Sequence, residues 1–277
     1  MSALAQLVTL QPKPLQRIET GLLRRLLSGR SLEELTSNAL LARAVRFPIL
    51  EEFFELALPG GATVCLHAES APYLFWSGFH TFEPTVVPAF SEYVAGAASF
   101  VDVGAAFGFY SLLARSLEPS LRIAAVEPNP HHADILRATF ARNAADIELF
   151  EAALLDGGGV VELSLAGGLS SVEPSRWRDN CEHVLVEAVA FDELFHEPPD
   201  LVKIDVEGAE IRVLAGMGRT LAQARTTIFA EIAPENLRAA AELVGGYGYT
   251  ILELPERRPA DLKSPVGADY LLVPVRS

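Results

Sequence analysis

The sequence predicts an α/β protein built on a doubly wound, mostly parallel sheet with helices on both faces. Three observations carry that expectation. From Ser99 onward, apolar runs rich in Val, Ile and Ala alternate with amphipathic stretches, the pattern of repeated βα units. The runs are near-continuous rather than alternating, as strands covered on both faces must be. The chain has 277 residues and half of them are hydrophobic, enough for one full core and an accessory segment.

Residues 1–50 are expected to form an N-terminal helical arm. Leu15, Ile18, Leu22 and Leu26 share one helical face, with Arg17, Arg24 and Arg25 on others. Gly29 ends that stretch, and Ser31 with Glu34 reads as a capping box opening a second helix before Pro48. The arm carries a net charge of +4, leaving −18 on the rest of the chain. Two helices packed on the main domain are the expectation; the alternative is a basic amphipathic arm for a membrane surface or a partner. Residues 51–98 read as a hairpin and lid segment. Phe53–Leu58 and Ala62–His67 flank a Pro59-Gly60-Gly61 turn. Phe75, Trp76, Phe79 and Phe82 follow as an aromatic cluster, suited to a core, a lid or both.

The remaining residues, 99–277, form the main domain. Ser99–Ala105 reads as a strand and Phe109–Leu117 as a helix. Leu121–Glu127 and His131–Ala144 repeat the unit, and Ile147–Leu155 is a third strand. Val160–Leu165 and Val184–Val189 read as an inserted β-pair. Leu201–Val206, Ala209–Ala222, Thr226–Ile232 and Glu235–Val244 resume the alternation. Tyr249–Leu254 and Asp269–Val275 close the chain as two strands.

Composition narrows the function. A net charge of −14 and a pI near 4.9 argue against general nucleic-acid binding, which needs clustered Lys and Arg to neutralise phosphates. Cys65 and Cys181 belong to no CxxC, so neither a disulfide framework nor a zinc knuckle is indicated. Every apolar stretch is broken short of the roughly 18 residues of a membrane span. No basic segment precedes the first mild apolar run. A soluble, cytoplasmic protein without stable membrane insertion is expected.

The first βα junction carries the chemistry. Phe100-Val101-Asp102-Val103-Gly104-Ala105-Ala106-Phe107-Gly108-Phe109 is an apolar strand running into a small-residue turn and a helix. In a doubly wound sheet, ligands sit beyond the carboxyl ends of the strands. Gly104 permits the sharp turn and Gly108 a close backbone approach. The second strand ends in Glu127, whose carboxylate can accept both hydroxyl hydrogens of a ribose. The spacing is not G-x-G-x-x-G, so a dinucleotide pyrophosphate is disfavoured. Asp102 would repel a pyrophosphate and suit an ammonium. A cationic ligand with a ribose and no phosphate is S-adenosylmethionine.

A second constellation is Asp200-Leu201-Val202-Lys203-Ile204-Asp205-Val206-Glu207-Gly208-Ala209-Glu210. It brings Asp205 to the same strand edge, with Glu207 at a helix start where an anion is favoured. Glu210 reads as support for that first turn. The next strand ends in Glu231. Charges at the ends of buried strands are costly without a task.

The runs FVDVGAAFGFYSLLA, AVEPNP, DLVKIDVEGAEIRVLAG and FAEI together resemble the FkbM family of S-adenosylmethionine-dependent methyltransferases. The resemblance extends from about Gly78 to Val275, and the EGAE stretch is its most specific part. It implies the class I methyltransferase fold: a Rossmann-like, seven-stranded sheet with one antiparallel strand. It also implies O-methylation of a hydroxyl on a small molecule such as a sugar or a polyketide-like metabolite. Glu83, in TFEP, is similar to a Glu-Pro element preceding the first core strand. The family loop commonly reads DVGANIG; here Ala106 and Phe107 replace Asn and Ile, so backbone contacts must serve. By this resemblance Asp102, Gly104, Ala105, Ala106, Phe107 and Gly108 line the methionine half of the cofactor. Glu127, with Pro128 and Asn129, holds the ribose. Ala152 and Ala153, beside Glu151, flank the adenine, and Ser170 and Ser171 close over it. Asp205 lies near the cofactor amine and the acceptor.

A hydroxyl needs a base, or a metal, before it attacks a sulfonium carbon. Asp205, Glu207 and Glu231 are the candidate bases. Two or three of them together would suit Mg²⁺ as an additional cofactor. His80, near the aromatic cluster, is an outlying candidate. The competing readings are a different acceptor, a nicotinamide cofactor, or a non-catalytic cofactor-binding protein acting through its basic arm.

Overall fold

The computed structural model describes residues 52–58, 61–69, 74–75, 78–79, 82–166, 169–173, 181–265 and 268–275. The expected helices over 1–50, the Pro59-Gly60 tip, Trp76 and His80 lie outside the described residues. The chain divides into two units, Met1–Pro84 and Thr85–Ser277.

In the first unit, β1 (Phe53–Ala57) pairs antiparallel with β2 (Thr63–His67), Phe53 opposite His67 and Ala57 opposite Thr63. Phe54, Leu56, Val64 and Leu66 are buried in period two. Phe75 meets Phe54 edge to face at 5.2 Å. The expected hairpin is therefore present.

The second unit opens with α1 (Val86–Val94), a helix that falls within the segment read as hairpin and lid. Its buried Val86, Val87, Phe90 and Val94 have helical spacing. The sheet then follows the expected alternation: β3 (Ser99–Val103), α2 (Phe109–Leu117), β4 (Arg122–Val126), α3 (Pro130–Arg142) and β5 (Glu148–Phe150). Next come β6 (Ala153–Leu155), β7 (Gly159–Ala166), β8 (Leu169–Ser171), β9 (Glu182–Ala190) and the short α4 (Phe191–Leu194). The second half contains β10 (Leu201–Ile204), α5 (Glu210–Ala215), α6 (Gly218–Ala222), β11 (Thr227–Glu231) and α7 (Leu237–Gly245). It closes with β12 (Tyr249–Glu253), β13 (Arg258–Pro259) and β14 (Asp269–Pro274).

The main sheet has the order β13-β12-β14-β11-β10-β3-β4-β5. β5, β4, β3, β10 and β11 are mutually parallel, and β14 runs antiparallel between β11 and β12. This is the expected seven-stranded class I arrangement with one antiparallel strand, extended by the two-residue β13. Among the described residues no helix is long and apolar enough to cross a membrane.

Strand parity separates two buried faces. Val101, Val103, Val202, Ile204, Ile228 and Ala230 pack with Val213, Leu214, Leu237 and Ala240 in one cluster. Residues of the opposite parity carry Phe100 and Phe229, and both rings meet Phe90 of α1, at 5.1 and 5.7 Å. Asp102 and Lys203 share that second parity and are register partners on β3 and β10.

Two expectations change. The run 147–155 is not one strand. β5 stays on β4, the chain turns at Glu151 and Ala152, and β6 pairs with β9 instead. The inserted β-pair is thus part of a four-stranded sheet, β6-β9-β7-β8. The single helix expected over 209–222 is two. A Cβ on Gly216 would meet the Leu155 carbonyl oxygen at 2.1 Å, so the chain breaks there to pack against β6. The Asp192 carboxylate caps the new helix start, accepting from the Thr220 N–H at 3.2 Å and its hydroxyl at 2.6 Å.

Candidate active site

Because β3, β4, β10 and β11 are parallel, their carboxyl ends form one edge, and Val103, Ile204 and Ala230 stand in register just inside it. The residues that follow them carry the site.

After β3 the chain turns through three left-handed residues, Gly104 (φ 79°), Ala106 (φ 47°) and Gly108 (φ 79°). At Gly104 the turn presses on the exit of β10: a Cβ there would lie 1.8 Å from the Asp205 carbonyl oxygen. The N–H groups of Gly104 and Ala105 both donate to the Val126 carbonyl, at 2.9 and 3.1 Å. Gly108 caps α2, where an added Cβ would touch Leu136 and Phe140 at 2.9 Å. Phe107 packs near Phe109, with ring centroids 6.5 Å apart.

Glu127 directly follows β4 and is only 2% exposed. Its Oε2 accepts from the Ala106 N–H at 2.9 Å and its Oε1 from the Asn129 N–H at 3.0 Å. His132 Nδ1 lies 3.7 Å from the same Oε1. Glu127 therefore clamps the glycine turn to the start of α3, a role the sequence did not disclose. Each carboxylate oxygen keeps a second lone pair. Asn129 is the N-cap of α3, its side chain accepting from the His131 N–H at 3.0 Å with Pro130 at the first helical position. Pro128 is half-buried between these two.

Asp102 is buried, and its Oδ2 accepts from the Ser111 hydroxyl at 2.7 Å and its N–H at 3.1 Å. Burial raises its pKa to about 6, against the lowering pull of Ser111 and Lys203. Asp102 thus anchors α2 from below the loop. Lys203, 2% exposed, points its ammonium to Asp205 Oδ2 at 3.2 Å and over the Tyr110 ring, 5.0 Å from its centroid.

Asp205 is about a third exposed, and its N–H bonds the Val103 carbonyl at 2.9 Å. Glu207 follows at φ 54° and Gly208 at φ 113°. Glu231 has its pKa pushed up to about 8, first by burial, then by Asp205, with Lys203 opposing and Asp269 and Glu207 adding. Asp269 is the register partner of Glu231 on β14, and burial raises its pKa too. A cavity of about 220 Å³ opens on this edge, lined by Glu207, Glu210, Glu231 and Glu235 with Ala233 and Pro234.

Of the residues expected at the site, Asp205, Glu207 and Glu231 gather here, and Gly104 packs on Asp205. Ser171 joins them indirectly: its hydroxyl donates to the Glu207 carbonyl at 2.8 Å and accepts from the Glu173 N–H at 3.1 Å. Ser170 is half-buried beside it on β8. Ala152 and Ala153 are buried where the chain leaves β5, and Glu151 pairs with Arg137 on α3. Glu83 lies in the other unit, at φ 39°. Among the described residues no group of three or more His, Cys, Asp or Glu side chains is arranged to hold a metal ion, so Mg²⁺ finds no ligand cluster there. Asp269 and Lys203 were not singled out from sequence. Asp269 opens its strand rather than ending it, and only the antiparallel course of β14 brings it to this edge. The signal available was an acid directly before the last apolar run.

The methyltransferase FkbM domain model matches residues 102–251, just over half of the chain. Among solved structures, the chain is similar to the methyltransferase FkbM of Methylobacillus flagellatus KT, with 14% identity over 73% of this chain and 52% of that one and a TM-score of 0.48. The chain therefore spans about half the length of that protein. It is also similar to an O-methyltransferase from Bacillus cereus in complex with SAH (17% identity, 70% and 83% coverage, TM-score 0.40). A third is the tRNA (uracil-54, C5)-methyltransferase of Pyrococcus abyssi in complex with S-adenosyl-L-homocysteine (15%, 80% and 43%, TM-score 0.44). No curated protein matches the chain. The domain match covers the glycine turn, Glu127, the Asp205–Glu210 segment and Glu231 in a single span, and by it the chain belongs to the FkbM methyltransferase family.

Proposed function

We propose that this protein is an S-adenosylmethionine-dependent O-methyltransferase acting on a hydroxyl of a small molecule. The observation that carries the reading is Glu231, a carboxyl with its pKa raised to about 8, lining a cavity on the edge where the glycine turn also ends. Family membership supports the reaction class.

The donor set suits the cofactor. Asp205, Glu231 and Asp269 gather around the buried Lys203; Glu231 is largely protonated at pH 7, and a cationic ligand would favour its ionised form. Glu127 offers unused lone pairs suited to a ribose diol. When bound, S-adenosylmethionine supplies a methyl group on positively charged sulfur.

The protein then has three tasks. The Gly104–Gly108 turn, clamped by Glu127 and by Val126, holds its backbone fixed, so that the reactants are aligned without further ordering. The cavity walls of Ala233 and Pro234 exclude water from one side of the acceptor. Glu231 takes the proton that the acceptor hydroxyl loses as its oxygen bonds to carbon. With a pKa of about 8, about a tenth of Glu231 is ionised at pH 7, and it is a far stronger base than an ordinary carboxylate. Burial is the main cause of that value, with Asp205 raising it further and Lys203 opposing. The acidic lining also supports a small acceptor over a phosphate-bearing polymer.

The test is release of S-adenosylhomocysteine with a panel of hydroxylated small molecules, using the wild type and Glu231→Gln. Turnover that falls by about 10²-fold or more in the variant supports the assignment. Equal turnover in both removes Glu231 as the base. Transfer only to RNA or protein would overturn the choice of acceptor.

A further inference from the structure

Lys203 is buried among the carboxyls of the strand edge, only 2% exposed. Taking an ammonium out of water is costly, so lysines are rarely buried unless paired. Strand parity places this one. Lys203 stands opposite Asp102 on β3 and Phe229 on β11. Asp205 and Glu231, each two residues further along, fall on the same face, and Asp269 joins them as the register partner of Glu231. The ammonium lies 3.2 Å from Asp205 Oδ2 and 5.0 Å from the centroid of the Tyr110 ring on α2, which favours its charge. Tyr93 of α1 packs on Phe229 beneath it, ring centroids 5.6 Å apart. Asp102, Asp205, Glu231 and Asp269 thus share one cation from three strands and a strand exit. Glu207 also acts on Glu231, and Glu210 and Glu235 line the cavity beside it.

We infer that Lys203 is a positioning residue for methyl transfer: its ion pair holds Asp205 as the fixed anion of the edge and leaves Glu231 to take the proton of the acceptor hydroxyl. The inference rests on the methyltransferase reading and divides the labour between two of its candidate bases. Asp205 Oδ2 accepts from the ammonium, a charge-assisted bond that must be given up before that oxygen can take a proton. Glu231 sits one strand away, close enough to feel both partners of the pair. Burial makes it hold its proton, the Asp205 charge strengthens that hold, and the Lys203 charge limits it. Lys203 gives up no proton in the step. It acts through the two carboxyls, by fixing the place of one and the ease of ionisation of the other.

The test is an NMR titration of the full chain with glutamate labelled at its side-chain carboxyl carbon, the Glu231 signal being assigned by its loss in Glu231→Gln. In the wild type its midpoint should lie near about 8. Lys203→Met should move that midpoint up by about one pH unit, and Asp205→Asn should move it down by about as much. In Lys203→Met, kcat/KM at pH 7 should fall about tenfold with the ionised fraction of Glu231, and its pH limb should move with the NMR signal. A merely structural ion pair would cost stability in both variants and leave both readings where they were. A second measurement needs neither of these variants to fold. The chain has three lysines, Lys13, Lys203 and Lys263, so with lysine labelled at its Cε the Lys203 signal is assigned by elimination, using Lys13→Arg and Lys263→Arg. That signal should shift in step with the ionisation of Glu231. Midpoints that stay put, or that move the same way in both variants, overturn the inference, as does a Lys203 signal blind to Glu231. Calorimetry with S-adenosylhomocysteine separates the two readings. Binding with unmoved midpoints overturns the inference alone; no binding by the wild type removes the methyltransferase reading and the inference with it.

Discussion

Glu231 concentrates the chemical argument in one side chain. Because its pKa is raised to about 8, kcat/KM should climb as pH rises through about 8 and level above it. Glu231→Gln should abolish that limb along with most of the rate, as a pH profile of both proteins will register. Ala106 makes a different prediction. It sits at φ 47° with its N–H committed to Glu127, a conformation that costs an alanine about 1–2 kcal/mol and that Asn visits more readily. Ala106→Asn should therefore stabilise the protein by about 0.5–1 kcal/mol in denaturant titration; a loss of stability would mean that the turn depends on a small side chain. Asp205 and Glu231 were legible in the sequence because one directly follows an apolar strand and the other ends one. Asp269 and Lys203 were not, since a register partner is what defines them. The clamp made by Glu127 on Ala106 was equally hidden: it spans 21 residues and depends on how the turn folds back over β4.

The glycine turn and the inserted sheet meet the site through backbone contacts. Gly104→Ala would place a Cβ 1.8 Å from the Asp205 carbonyl at a positive φ, and should cost at least about 3 kcal/mol by equilibrium unfolding. Ser171→Ala leaves the Glu207 carbonyl without its 2.8 Å partner. A loss of about 1 kcal/mol is expected, with faster hydrogen exchange across β8 and no change in β3. The strands and helices of the main sheet were legible because apolar runs and amphipathic stretches alternate. The split of β5 from β6 was not, because no Gly or Pro interrupts 147–155 and the chain changes sheets by finding a new partner in β9. The break between α5 and α6 was hidden for a related reason. Gly216 is forced by the Leu155 carbonyl, a tertiary neighbour far away in sequence.

Across the whole chain, the acidic edge ties stability to pH. Asp102 and Glu231 are raised to about 6 and about 8 from ordinary values of 3.8 and 4.5. Between those ordinary values and the raised ones, the folded protein binds more protons than the unfolded chain, so stability falls as pH rises. The Asp102 contribution is lost between about pH 4 and 6, and the Glu231 contribution between about pH 4.5 and 8. The melting temperature at pH 8.5 should lie at least about 2 °C below that at pH 5.5, and Glu231→Gln should narrow the gap; a melting temperature that rises over this range would contradict the assignment of buried, protonated carboxyls. The carboxyls at this strand edge, whose ionised forms a cation would favour, are the basis for assigning a cationic cofactor. That assignment is tested by calorimetric titration of the protein with S-adenosylmethionine, with NAD as control and Glu127→Gln alongside. Saturable binding of S-adenosylmethionine, at least about tenfold weaker in the variant and absent for NAD, is the predicted result. Binding of NAD, or no binding of S-adenosylmethionine, would contradict it.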